Sequence, residues 1–315
     1  SMPSHTPSAS SASSATSAVH TPRIGHGFYL HRLEPGLPLV VGGVRIEHDA
    51  VCEKLIAAGA RAGAGAQVIR FPAELVMDCV RRAPSEVQLA DRDGATRVIG
   101  AHHPTSVWST PGLNILRGGA HRPFTAEDMA AMSRLLDQLP EVHGIFGMAM
   151  ADVPAGVRDV VGLRIMAENS RKHIRVLSFT PEGAEAVCEM HRVVGESPWL
   201  SVGLTAHGPL RWTHLALEIF ARTAGHRLPV SINGEPMAGV SGPTTLAGAA
   251  AVGNAEILAG IVINQVLEPG RPVIHNLGLA HVFDMRASIA VTGAPENHLL
   301  AGLGPLEHLQ HDKHT

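Results

Sequence analysis

From Ile145 onward the chain alternates short apolar runs with helical patterns, and that rhythm restricts its fold more than any other feature. The runs are Ile145–Met150, Ile174–Phe179, Leu200–Thr205, Pro229–Ile232 and Pro272–His275. Between them lie Val157–Asn169, Glu182–Val194, Thr213–Ala224 and Thr244–Leu267, with apolar residues at helical spacing. Strand, helix, strand in succession predicts parallel pairing through right-handed crossovers, because a parallel connection must travel back along the sheet. The runs read as uniformly apolar, the pattern expected where both faces of a parallel sheet are covered, as in a barrel. The predicted class is α/β. Five repeats are too few for a closed (β/α) barrel, which takes eight strands and about 250 residues, so the barrel is expected to be incomplete at the C-terminus.

A smaller α+β region is predicted over 31–124. Glu47–Gly59 places Val51, Leu55, Ile56 and Ala58 on one helical face, with Gly59 as its stop. Val68–Phe71 reads as a strand, and Pro72 opens a second helix at Ala73–Arg82. Val87–Ala90 and Thr96–Gly100 flank the turn Asp91-Arg92-Asp93-Gly94, a hairpin signal. Thr125 followed by Asp128 predicts a capped helix start, where the barrel portion 125–300 begins. Residues 1–30 are Ser/Ala-rich and expected to be a disordered tail, and 301–315 a polar tail.

Composition narrows the function classes. Aromatics make up 3% of the residues, too few for a base-stacking platform or a full aromatic cage around a cation. The formal net charge is −3 with no Lys/Arg run, which makes nucleic acid and anionic membrane poor partners. Cys52, Cys79 and Cys188 stand far apart, with no zinc spacing and no complete disulfide framework, so a cytoplasmic setting is expected. The apolar stretch Leu246–Val266 carries Asn254, Glu256 and Asn264 and suits a helix buried in protein, so no membrane span is expected. Among 20 histidines there is no His-Glu-x-x-His and no His-x-His after a strand. His308, His311 and His314 share a spacing of three in the polar tail. No metal of the chain's own is expected, which leaves a zinc-dependent barrel hydrolase as a weaker third class.

In parallel α/β sheets ligands meet the C-terminal ends of the strands. Polar residues collect at those ends here: Asp152, Ser178, Thr180, His207, Asn233, Glu235, His275 and Asn276. Ser241, Gly242 and Thr244 flank Pro243 at the expected start of the long apolar helix, where free N–H groups attract an anion. A plain, tightly packed helix start explains the same residues equally well. Glu256, inside that helix, is expected to pair with an arginine such as Arg286, while Asp284 and Arg286 are near enough in sequence for an ion pair of their own.

Gly234-Glu235-Pro236-Met237-Ala238-Gly239-Val240-Ser241-Gly242-Pro243-Thr244-Thr245-Leu246-Ala247-Gly248, then Asn254-Ala255-Glu256-Ile257-Leu258-Ala259-Gly260-Ile261-Val262, resembles the signature segment of the trimethylamine methyltransferase-like family. Gln265, Pro269–Ile274, Asp284-Met285-Arg286 and Gly293–Glu296 follow at the family's spacing. Upstream, Arg122–Thr125 with Asp128, and Ala83-Pro84 with Asp91-Arg92-Asp93, are similar to it, so the likeness runs from about Gly43 to Leu300. The resemblance implies a TIM-type (β/α) barrel and a corrinoid-dependent methyltransferase. Such an enzyme moves a methyl group from a methylamine or a quaternary amine, such as glycine betaine, to Co(I) on a separate corrinoid protein. By their rim positions Glu235 and His275 are then the catalytic candidates and Asn233, Asn276, His207 and Asp152 the substrate-binding ones, while Ser241, Gly242 and Thr244, at the expected helix start, are the cofactor-binding candidates. Three departures stand out. The chain has no pyrrolysine, which favours the quaternary-amine branch. The family continues past Pro295-Glu296 through closing strands that Gly304–Leu309 does not signal, and Ser288 stands where the family usually has Gly. The alternative is a shortened, non-catalytic relative serving as a binding or oligomerising domain, and an open sheet edge predicts a homo-oligomer.

Overall fold

The computed structural model describes residues 41–302, apart from Leu177, Phe179, Glu196 and Leu279. The expected tail at 1–30 and the histidines at 308, 311 and 314 lie outside the described residues. Five strands make one sheet: Gly144–Phe146, His173–Val176, Leu200–Thr205, Val230–Asn233 and Val273–Asn276. All four pairings are parallel, and the strands lie side by side in chain order. Sequential order separates this sheet from a doubly wound one, whose order reverses at a switch point. The chain therefore has an α/β fold built on a parallel sheet.

The register shows that the strands are not uniformly apolar. Ile145, Ile174, Leu200 and then Val176, Val202, Val230, Val273 align across the sheet, as do Leu204, Ile232 and His275. On the other face Phe146, Arg175 and Ser201 align, followed by Gly203, Ser231, Ile274 and by Thr205, Asn233, Asn276. One face is aliphatic and packs on helices, and the opposite face is polar and largely buried. Period-two alternation is present in Leu-Ser-Val-Gly-Leu-Thr and Val-Ser-Ile-Asn. It was obscured because the polar members are small.

Helices cover the aliphatic face. Arg158–Asn169, Pro181–Val194 and His214–Thr223 follow the first three strands. The fourth strand leads to the 22-residue helix Leu246–Leu267. That helix is long and apolar enough to cross a membrane, but it is a core helix here, with Glu256, Asn264 and Gln265 buried. Gly260 lets Trp212 and Ile232 approach, since a Cβ there would lie 2.6 Å from each side chain.

The N-terminal region is woven into the same core. Its strand Val41–Ile46 pairs antiparallel with Val68–Phe71 and parallel with Arg211–Trp212, just beyond the third strand of the sheet. Helices Asp49–Ala57 and Ala73–Arg82 pack on the long helix. The hairpin Val87–Ala90/Thr96–Ile99 closes the N-terminal end of the sheet: Ala90 N–H donates to Pro198 O at 2.9 Å, and Arg92 donates to Ala167 O and Ser170 O at the end of a helix. Trp108 bridges Gly144 in parallel and covers the free edge of the first strand, with Phe146 N–H donating to Ser109 Oγ at 2.8 Å. The Thr125 cap forms as a full capping box with Asp128, whose carboxylate Arg122 holds well below the usual range.

Beyond the fifth strand, His281–Asp284 pairs with Met237–Ala238 and Ile289–Val291, followed by helical residues 295–302. Ser288 has φ +55°, a left-handed conformation that glycine adopts at no steric cost. Arg286 bonds Asp284 only through its backbone N–H, at 2.8 Å, so no ion pair forms there. Among the described residues, no strand pairs with the outer edge of Val273–Asn276.

Candidate functional site

The polar face converges on Asn233, at the C-terminal end of the fourth strand and 1% exposed. Its Oδ1 accepts from Asn276 Nδ2 at 2.8 Å, Arg175 Nη2 at 3.1 Å and Ser231 Oγ at 3.2 Å. Its Nδ2 donates to Thr205 Oγ1 at 2.9 Å and Leu204 O at 3.1 Å. One amide thus ties four neighbouring strands together and leaves itself no freedom to turn. Asn233 and Asn276 meet here as expected from their strand-end positions.

Arg175 was not singled out in the sequence, where it sits inside His-Ile-Arg-Val. It lies on the second strand, its guanidinium stacked 4.1 Å above the Phe146 ring. It crosses the third strand over Gly203, where a Cβ would come within 2.5 Å of Nη2. A charged residue at an inward position of a buried strand was the signal that could have found it.

Glu235 follows Asn233 by two residues, half-buried at the rim. Burial pushes its carboxyl above the ordinary range, opposed by His281 and His207, by a hydrogen bond from Thr205 and by Arg175. Glu256 stands nearby on the long helix, fully buried, with Oε1 accepting from Leu210 N–H at 2.9 Å. Burial pushes Glu256 up to about 7, and the Glu235 charge adds to the rise. The expected pairing of Glu256 with Arg286 does not occur, because Arg286 lies in the exposed turn after Asp284. Sequence reasoning placed Glu256 in a structural role and missed that it adjoins Glu235.

Other candidates are placed elsewhere. His275 points to the aliphatic face, in register with Ile232, and its Nε2 lies 3.1 Å from Asn254 Oδ1 on the long helix. It is turned away from Asn276, because adjacent residues of a strand face opposite sides. Ser241, Gly242 and Thr244 do not open the helix. Thr245 is its N-cap, accepting from Gly248 N–H, so the long helix starts at Leu246 rather than beside Pro243. Ser241 Oγ accepts from Met237 N–H at 2.9 Å, and the N–H groups of Val240, Ser241 and Gly242 all donate to Met237 O. These donors are spent within the loop. Asp152 is exposed and accepts from Ala126 N–H at 2.9 Å, the first turn of another helix. His207 reaches the Glu235 neighbourhood, though its ring is exposed. Thr180 caps the Pro181–Val194 helix. Two crevices, of about 490 and 390 Å³, open beside Arg92 and beside Trp108 and His173, and neither reaches Glu235.

The family model described as trimethylamine methyltransferase (MTTB) matches residues 39–305, most of the chain. The chain belongs to this family. Relatives that match include trimethylamine methyltransferase MttB of Desulfitobacterium hafniense, 26% identical over 81% of this chain and 53% of that protein. Glycine betaine methyltransferase, also of D. hafniense, is 30% identical over 71% of this chain and 49% of its own length. The chain spans about half the length of the curated relatives it matches. The monomethylamine methyltransferase MtmB of Methanosarcina barkeri superposes with a TM-score of 0.46 at 14% identity, over 73% of this chain and 51% of MtmB.

Proposed function

We propose that the protein transfers a methyl group from a methylated or quaternary amine, glycine betaine-like, to Co(I) of a corrinoid protein. The observation that carries this reading is the carboxyl pair Glu235 and Glu256, set at the C-terminal rim of a parallel sheet beside a polar, buried face. The corrinoid belongs to the partner, and its reduced cobalt supplies the nucleophile. The chain's task is to hold the N-methyl cation in line and keep water from it. A quaternary ammonium gives up its methyl and leaves as a neutral tertiary amine that keeps the C–N electron pair and needs no proton, so orientation and charge complementarity suffice.

Glu235 is the electrostatic partner of the cation in this proposal. Phe146 already carries the Arg175 guanidinium. Asn233 and Asn276 orient the substrate, and His207 stands at the entrance. His275 supports the long helix through Asn254 rather than touching substrate. Ser241, Gly242 and Thr244 shape the rim that meets the corrinoid protein, and Asp152 steadies a neighbouring helix. The cytoplasmic setting and a TIM-type barrel arrangement belong to the same reading.

Mixing the protein with glycine betaine and a corrinoid protein reduced to Co(I) tests it. Methyl-cobalt in the visible spectrum is the expected result. Glu235→Gln should lower the rate by about 10²-fold or more, the scale seen when one electrostatic contact to a reacting centre is removed. Unchanged turnover would remove Glu235 from the site. A second reading, a non-catalytic family member that binds or oligomerises, is favoured by the edge of Val273–Asn276, which has no strand beside it among the described residues. No methyl-cobalt with any of several methylated amines would select it.

A further inference from the structure

Arg175 decides which way the buried amide of Asn233 faces. A guanidinium has donors and no acceptor, so the amide atom 3.1 Å from Arg175 Nη2 must be the oxygen, Oδ1. Asn276 Nδ2 at 2.8 Å and Ser231 Oγ at 3.2 Å donate to the same oxygen. The amide nitrogen is thereby turned to the third strand, where Asn233 lies in register with Thr205. It donates there to Leu204 O at 3.1 Å and to Thr205 Oγ1 at 2.9 Å. A hydroxyl that accepts from an amide still has its own hydrogen to give, and the Glu235 carboxylate, two residues beyond Asn233, receives it. Arg175, Asn233, Thr205 and Glu235 therefore form a line of hydrogen bonds all donated in one direction, from a buried cation to a carboxylate at the rim. Bonds strung in one direction polarise one another. Gly203 keeps the path open, since a Cβ there would lie 2.5 Å from Arg175 Nη2.

We propose that Thr205 is the positioning residue of Glu235: the Asn233 amide, locked by Arg175, aims the threonine hydroxyl at the carboxylate and fixes it as the anion that meets a cationic ligand. The use of that anion in methyl transfer rests on the methylated-amine reading. Burial works against the charged form of Glu235, while His281, His207, Thr205 and Arg175 work for it. Glu256, on the long helix, stands against it as a second carboxyl. His281 comes from the strand beyond the fifth and His207 from the loop after the third, whereas Thr205 and Arg175 belong to the polar face of the sheet. A carboxylate bonded to a strand whose own donors are locked keeps one orientation, and a cation held in line for reaction needs a partner that does not turn. Valine at 205 would fill the same space and give no donor, so the residue type matters as well as its shape.

Carbon-13 NMR of the full chain, labelled at the glutamate carboxyls, tests the proposal without any ligand, with Glu235→Gln identifying the resonance. Thr205→Val removes the hydroxyl and leaves Asn233 Nδ2 its bond to Leu204 O. It should raise the Glu235 titration midpoint by about one pH unit, the scale of one hydrogen bond to a charged group, and Thr205→Ser should restore it. An unchanged midpoint in Thr205→Val would overturn the proposal, as would a rise that Thr205→Ser fails to reverse. Arg175→Met should raise the midpoint too, but by less than about half as much once Thr205→Val is present, because its effect travels through the hydroxyl. Equal shifts in both backgrounds mean that Arg175 acts through space, and the line of bonds is then refuted. Should Arg175→Met not fold, Arg175→Lys keeps the charge and loses the fork: a raised midpoint supports the line, and an unchanged one refutes it. In the methyl-transfer assay the acid limb of the rate should move upward by the same interval in Thr205→Val. A parent chain that transfers no methyl sinks the methylated-amine reading and leaves the titration to decide the role of Thr205.

Discussion

Glu256 is an acid placed where its charged form is disfavoured. It is 0% exposed, its Oε2 has no partner, and burial raises it from the ordinary 4.5 to about 7. Between those values the folded chain keeps a proton that the unfolded chain has released. The stability this proton supports is full below about pH 4.5 and declines as pH rises through about 7. Glu256→Gln removes the titration and keeps the shape. It should therefore match the parent near pH 5 and exceed it by about 1–3 kcal/mol at pH 8, measured by urea unfolding. An advantage that does not grow with pH would contradict the burial argument. Glu235, close by and also raised, is the member of the pair that reaches the rim.

At the scale of elements, the long helix shows why position within the fold outweighs composition. Its sequence is apolar on nearly every side, as expected for a helix buried all round. Which residues must be small is decided by what they touch. Gly260 meets Trp212 and Ile232, and Gly253 meets Leu277 and Pro236. Gly260→Ala should cost about 1–3 kcal/mol by overpacking, despite alanine's better helix propensity. A thermal midpoint equal to or above the parent's would mean that Trp212 yields. The sheet teaches the complementary lesson. Ser201, Gly203, Ser231 and Asn233 occupy alternate positions, yet members this small let the runs read as uniformly apolar. The meeting of Arg175, Thr205, Ser231 and Asn276 around the Asn233 amide was not legible either, since it depends on the register of four strands.

For the molecule as a whole, the two edges of the sheet differ. Residues around Trp108 cover the first strand, whereas the outer edge of Val273–Asn276 has no strand beside it among the described residues. An uncovered edge presents backbone donors and acceptors to a second chain. We propose that a homo-oligomer covers this edge. Sedimentation equilibrium should show a dimer or larger species, and a strictly monomeric profile would count against it.

Strand and helix order, the two N-terminal helices, the hairpin and the Thr125 cap were all readable from the chain, because each depends on residues close in sequence. So were the family and the place of Asn233 and Asn276 at strand ends. The side to which His275 turns, the loop that consumes the donors around Ser241, and the juxtaposition of Glu256 with Glu235 were decided only by tertiary structure. Arg175 belongs to both levels. Its place in the second strand was written in the sequence, but its meaning came from a bare glycine on one neighbour and an amide on the next. Local pattern determines which elements form, while long-range packing determines which side chains and charges meet.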